Sequence, residues 1–144
     1  WALTLILGVE SSAMFDTLVR TNNLEGTGRW PKELREAQFV PAIEYIRAQR
    51  IRTLLMQAMA RVFDKVDCYI GGDDLVITNL TGHPSVVLPG GFHQRKNRRV
   101  PFGITFTGQL YEDEALLAVA SAYQQATSHH LERPPMEDVV PENL

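Results

Sequence analysis

Ile51-Arg52-Thr53-Leu54-Leu55-Met56-Gln57-Ala58-Met59-Ala60-Arg61-Val62-Phe63-Asp64-Lys65-Val66-Asp67-Cys68-Tyr69-Ile70-Gly71-Gly72 changes its period part of the way along. Ile51, Leu54, Leu55, Ala58, Met59 and Val62 recur at the spacing of one helical face, while Arg52, Gln57 and Arg61 fall mostly on other faces. Leu, Met, Ala, Arg and Gln favour a helix by propensity as well, so a helix is predicted from Pro41 to Asp64. Val66 to Ile70 then reads as a short strand, ended by Gly71-Gly72. A long helix feeding a strand points to an α/β architecture.

Working outward, Asp73-Asp74 before Leu75-Val76-Ile77 predicts a short helix, since carboxylates favour a helix N-terminus. Ser85 to Leu88 is a compact strand between Pro84 and Pro89. Phe102, Ile104 and Phe106 alternate with Gly103, Thr105 and Thr107, the clearest strand pattern in the chain. Gly90 to Pro101, with Arg95, Lys96, Arg98 and Arg99, reads as a solvated hairpin loop. Glu112-Asp113-Glu114 opens a helix through Leu116, Leu117, Val119, Ala120 and Tyr123 to about Thr127. Upstream, Ala2 to Arg20 has one helical apolar face, Asn22 to Gly28 is a loop, and Pro31 and Pro41 each suit a helix start. The tail from Pro134 is expected to be loosely ordered. The order is helix, helix, strand, short helix, strand, strand, helix. With no strand between the first two long helices, it is not a simple βαβ series.

Composition removes several classes. The 144 residues suit one domain. Fourteen basic against seventeen acidic side chains give a net charge of -3, which argues against a direct nucleic-acid footprint. The single cysteine, Cys68, excludes an internal disulfide framework and suits a reducing, cytoplasmic compartment. No apolar run approaches the roughly 20 residues of a membrane helix. The opening run from Trp1 lacks the basic start of a signal peptide and is expected to come from within a longer chain.

Five serines (Ser11, Ser12, Ser85, Ser121, Ser128) and three lysines (Lys32, Lys65, Lys96) are candidate nucleophiles and bases, but no serine sits in a Gly-x-Ser-x-Gly elbow. His83, His93, His129 and His130 form no i, i+4 pair, so neither metal nor cofactor is expected. His129-His130 is read as the end of a helix. Gly71-Gly72-Asp73-Asp74 lacks the lysine of a phosphate loop, and its carboxylates would repel phosphate. Residues 32 to 65 hold seven basic and four acidic groups, and residues 112 to 144 hold seven acids and one arginine. Such runs are solvated faces or a docking dipole. Thr78-Asn79-Leu80-Thr81-Gly82-His83-Pro84 has two readings, a rigid connector or one wall of a pocket beside the strand ends.

That segment also carries a family resemblance. Asn79-Leu80-Thr81-Gly82-His83-Pro84-Ser85-Val86-Val87-Leu88-Pro89-Gly90-Gly91-Phe92 resembles the Asn-Leu-x-Gly-x-Pro-x-x-x-x-Pro-x-Gly-Phe stretch near the end of amidase signature enzymes. Pro101 to Gly108 resembles the family's following strand, Leu116 to Thr127 its last helix, and His130 to Pro135 its closing His-x-x-Arg-Pro-Pro. Arg50 to Met56, followed by Val66 to Ile70, is similar to the family's helix-then-strand unit. The pieces occur in the family's order across residues 39 to 135.

The resemblance implies an α/β fragment: part of the family's mixed β-sheet with its covering helices. Residues 1–144 would be one C-terminal fragment, with a helical lead-in (1–37), a matched core (38–133) and a tail (134–144). The family acts on carbon–nitrogen amide bonds through a serine, a second serine in a cis peptide and a lysine. All three lie in its N-terminal half, so no residue here is catalytic and the fragment alone is expected to be inactive. Asn79, Thr81 and Gly82 would line the substrate pocket. In the aspartyl/glutamyl-tRNA amidotransferase A subunit, an aspartate before the Asn-Leu motif and an arginine upstream of the long helix hold the amide donor. Asp74 and Arg29 lie near those positions. Members usually carry a longer, proline-rich run before the Asn-Leu motif, where this chain has only Gly71 to Thr78. Expected partners are a small carboxamide substrate and the missing N-terminal half, with homodimerisation or aggregation of the isolated fragment. The alternatives are an amidotransferase A subunit with its partner subunits, and a non-catalytic interaction module.

Overall fold

The computed structural model describes residues 1–23, 26, 28, 30–72 and 75–133. The elements are α1 (Ala2–Met14), α2 (Asp16–Arg20), α3 (Trp30–Ala37), α4 (Ala42–Phe63), β1 (Cys68–Ile70), α5 (Val76–Thr81), β2 (Ser85–Arg95), β3 (Arg98–Gly108), α6 (Asp113–Ala126) and a 3-10 turn (His129–Leu131). The expected α/β class is found. Two compact units divide the chain, Trp1–Val66 with Asp74–His83, and Asp67–Asp73 with Pro84–Leu144.

The first unit is helical. Ala2 and Ile6 of α1, Ala48 of α4 and Leu80 of α5 form its buried cluster, flanked by Leu3, Leu5, Tyr45 and Leu55. The single helix expected over Ala2 to Arg20 is two, because the backbone leaves helical geometry at Phe15 (φ -99°, ψ 23°). Ser12 ties α1 to α3 by donating to the Leu34 carbonyl at 2.8 Å. Helix α4 follows the prediction to within a residue at each end, with Pro41 at its N-cap. Its buried face differs from the expected stripe. Ala48, Met59 and Phe63 are buried, whereas Ile51, Leu54 and Val62 are 43%, 63% and 43% exposed. This helix carries apolar side chains on more than one face, so periodicity alone left its orientation open.

The second unit is a three-stranded sheet in the order β1-β3-β2, antiparallel in both pairings, with α6 against it. The mixed sheet that the family resemblance implies is represented by these antiparallel pairs among the described residues. Leu88, Phe106, Leu116 and Ala120 are its core, and the Tyr123 ring lies 5.3 Å from that of Phe106.

The solvated loop expected from Gly90 to Pro101 is instead mostly strand, since β2 runs to Arg95 and β3 begins at Arg98. Two prolines and a glycine pair argued against strand there, and the structure accommodates each. Pro89 lies on β2, at the sheet's edge, and Gly90 is skipped by the register, which passes from Pro89↔Gly103 to Gly91↔Phe102 as a bulge. Pro101 pairs with Phe92 where β3 has no second neighbour, because β1 reaches only Phe106 to Gly108. The Arg99 guanidinium sits 3.7 Å from the Phe92 ring centre and pairs with Glu132 at 2.5 Å. Helix α6 stops at Ala126 with Thr127 extended, so His129-His130 begins a separate 3-10 turn and does not cap that helix.

Candidate functional site

The segment read as connector or pocket wall is helical through Thr81. Leu75 precedes α5 in the left-handed region (φ 54°), and Gly82 closes it there (φ 84°). Glycine suits that closing position because a Cβ would be strained. Asn79, Thr81 and Gly82, three of the expected site residues, therefore share the last turn and cap of one short helix. Asp74 and Arg29 lie outside the described residues.

Thr81 and Asn79 have different environments. Thr81 is 1% exposed. Its hydroxyl donates to the Ile77 carbonyl at 2.8 Å and lies 2.7 Å from His83 Nδ1. Asn79 is exposed and lines a recess of about 370 Å³ with Leu3, Ile6, Leu7, Glu10, Arg52 and Leu80. Glu10 in that recess accepts from the Tyr45 hydroxyl at 2.8 Å, and Arg52 Nε is buried with no hydrogen-bond partner.

His83 lies in the same segment but is not among the expected site residues. It is 6% exposed, and its ring stacks on Phe63 with centroids 5.2 Å apart and planes 17° apart. Burial lowers its pKa from the ordinary value of 6.5, so the neutral imidazole is favoured. The available signal was the two-residue spacing of Thr81 and His83 across a glycine. A left-handed Gly82 turns the chain back so that the two side chains meet.

Among the described residues, no serine hydroxyl bonds a histidine, lysine or carboxylate. Ser12 bonds the Leu34 carbonyl, Ser85 meets Thr107 at 3.1 Å, and Ser121 accepts from Gln125. No group of three or more His, Cys, Asp and Glu side chains is placed to hold a metal ion among those residues. No helix among them is long and apolar enough to cross a membrane.

Similarity to known proteins bears out the motif resemblance to the C-terminal portion of the amidase signature enzymes. Relatives of this chain include glutamyl-tRNA(Gln) amidotransferase A subunits. The one from Synechococcus sp. (strain JA-3-3Ab) is 32% identical over 114 residues, covering 64% of this chain and 22% of its own length. Those from Janthinobacterium sp. (strain Marseille) and Trichormus variabilis are 32% and 31% identical, covering 62% of this chain and 24% and 23% of their own lengths. The chain thus spans about a quarter of the length of the curated relatives it matches. No family model and no solved structure matches it.

Proposed function

We propose that this chain is the C-terminal region of an amidase-like enzyme acting on carbon–nitrogen amide bonds. The observation that carries this reading is the similarity to amidotransferase A subunits, which runs over more than half the chain. In the whole enzyme a serine attacks the carboxamide carbon, ammonia leaves, and water hydrolyses the acyl-enzyme. The serine, the cis-peptide serine and the lysine base lie in the N-terminal half, so the fragment alone is inactive. Asn79 and Gly82, with Asp74 and Arg29, form part of the substrate-pocket wall, and Thr81 acts there through the residues it holds. The compartment is cytoplasmic.

The relatives' names favour one form of this reading, an A subunit that passes ammonia to partner subunits. Two assays separate the forms. The natural full-length protein should release ammonia from a simple carboxamide such as propionamide. An amidotransferase subunit should also co-purify with its partner subunits on co-expression. Absence of ammonia release from every carboxamide tried, with and without such partners, would overturn the proposal.

A further inference from the structure

A single proton fixes the state of His83. The Thr81 hydroxyl has one hydrogen, and the Ile77 carbonyl 2.8 Å away can only accept, so that hydrogen lies between them. The contact from Thr81 Oγ1 to His83 Nδ1, at 2.7 Å, must then carry its proton on the ring nitrogen. Neutral His83 is therefore the Nδ1–H tautomer, and Nε2 holds a lone pair.

That lone pair has no hydrogen-bond partner among the described residues, in a side chain that is only 6% exposed. The ring is thus held on one face by Phe63 and at one nitrogen by Thr81, and it presents a hydrogen-bond acceptor at the other. Fixing one imidazole nitrogen to set the role of the other is how proteins prepare a histidine for a ligand.

We infer that His83 Nε2 is a specificity-determining acceptor for the N–H of the substrate's carboxamide. This rests on the reading of residues 79–84 as a wall of the substrate pocket. It assigns the wall a contact that the sealed Thr81 hydroxyl does not make, with Thr81 as the positioning residue. An acceptor at this point selects for amides over esters, because an ester has no N–H to donate and leaves Nε2 unpaired.

The test compares propionamide with methyl propionate in the natural full-length enzyme. His83→Leu should lower kcat/KM for the amide by about tenfold, the worth of one hydrogen bond to substrate, and leave the ester within about twofold. Thr81→Val should move amide turnover in the same direction by less. Nitrogen-15 NMR of the full chain reads the tautomer directly, with Nε2 expected unprotonated above pH 7. Equal loss on amide and ester, no loss on either, or a proton on Nε2 would overturn the inference while leaving amide hydrolysis standing. Absence of carboxamide hydrolysis in the unsubstituted enzyme would overturn both.

Discussion

Thr81 engages its hydroxyl twice, with the Ile77 carbonyl and with His83, inside a site that water barely reaches. Thr81→Val keeps the shape and removes both contacts, leaving the buried His83 ring N–H short of a partner. The expected loss is about 1–3 kcal/mol, read from urea unfolding; a change below roughly 0.5 kcal/mol would show these contacts to be dispensable. His83 adds a pH dependence. Burial lowers its folded pKa below 6.5, so between that lowered value and 6.5 the unfolded chain binds more protons. The histidine's contribution is complete above pH 6.5 and declines as the pH falls toward the folded value. His83→Phe, which retains a ring against Phe63, should flatten that part of the stability profile. A profile unchanged by the substitution would contradict the assignment.

Elements show which features of the sequence can be read directly. The hairpin bulge depends on Gly90, where an added Cβ would lie 2.7 Å from Phe102 Cε2 and 3.2 Å from Ile104 Cβ. Gly90→Ala should therefore destabilise the β2–β3 hairpin by about 1–3 kcal/mol, the cost of overpacking, in the same unfolding measurement. In α6, Leu116 is 4% exposed against Leu88 and Phe106, and Leu116→Ala should cost about 2–5 kcal/mol. Periodicity gave α6 and α4 nearly to their ends, and the alternation from Phe102 to Phe106 gave the inner part of β3. The outer hairpin was not legible. Pro89, Gly90 and Pro101 are breakers by local rules, and only the pairing register shows that each sits where the ladder needs no N–H from it or makes a bulge. At the candidate site, the Asn-Leu-x-Gly motif falls on the last turn and cap of α5. The meeting of Thr81 with His83 depends on the left-handed Gly82, a backbone state that residue type permits without specifying.

At the scale of the whole molecule, much apolar surface is uncovered. Met14, Phe39 and Tyr111 are 81%, 86% and 92% exposed, and Ile43, Ile46 and Leu54 add to it along α4. Exposed apolar side chains suit contact surfaces, and in the proposed enzyme the N-terminal half supplies the cover. The isolated 16.2 kDa chain should accordingly self-associate in sedimentation experiments. A monodisperse monomer would count against a missing cover. In the alignment with the Synechococcus relative, 64% of 144 residues is about 92, fewer than the 114 aligned positions, so that relative carries residues without a counterpart here. The most direct test of the account is the intact mass of the natural protein after quenching with a reactive carboxamide. The prediction is a chain severalfold heavier than 16.2 kDa that carries an acyl group on a serine upstream of Trp1. A natural chain that begins near Trp1 and takes up no acyl group would contradict it.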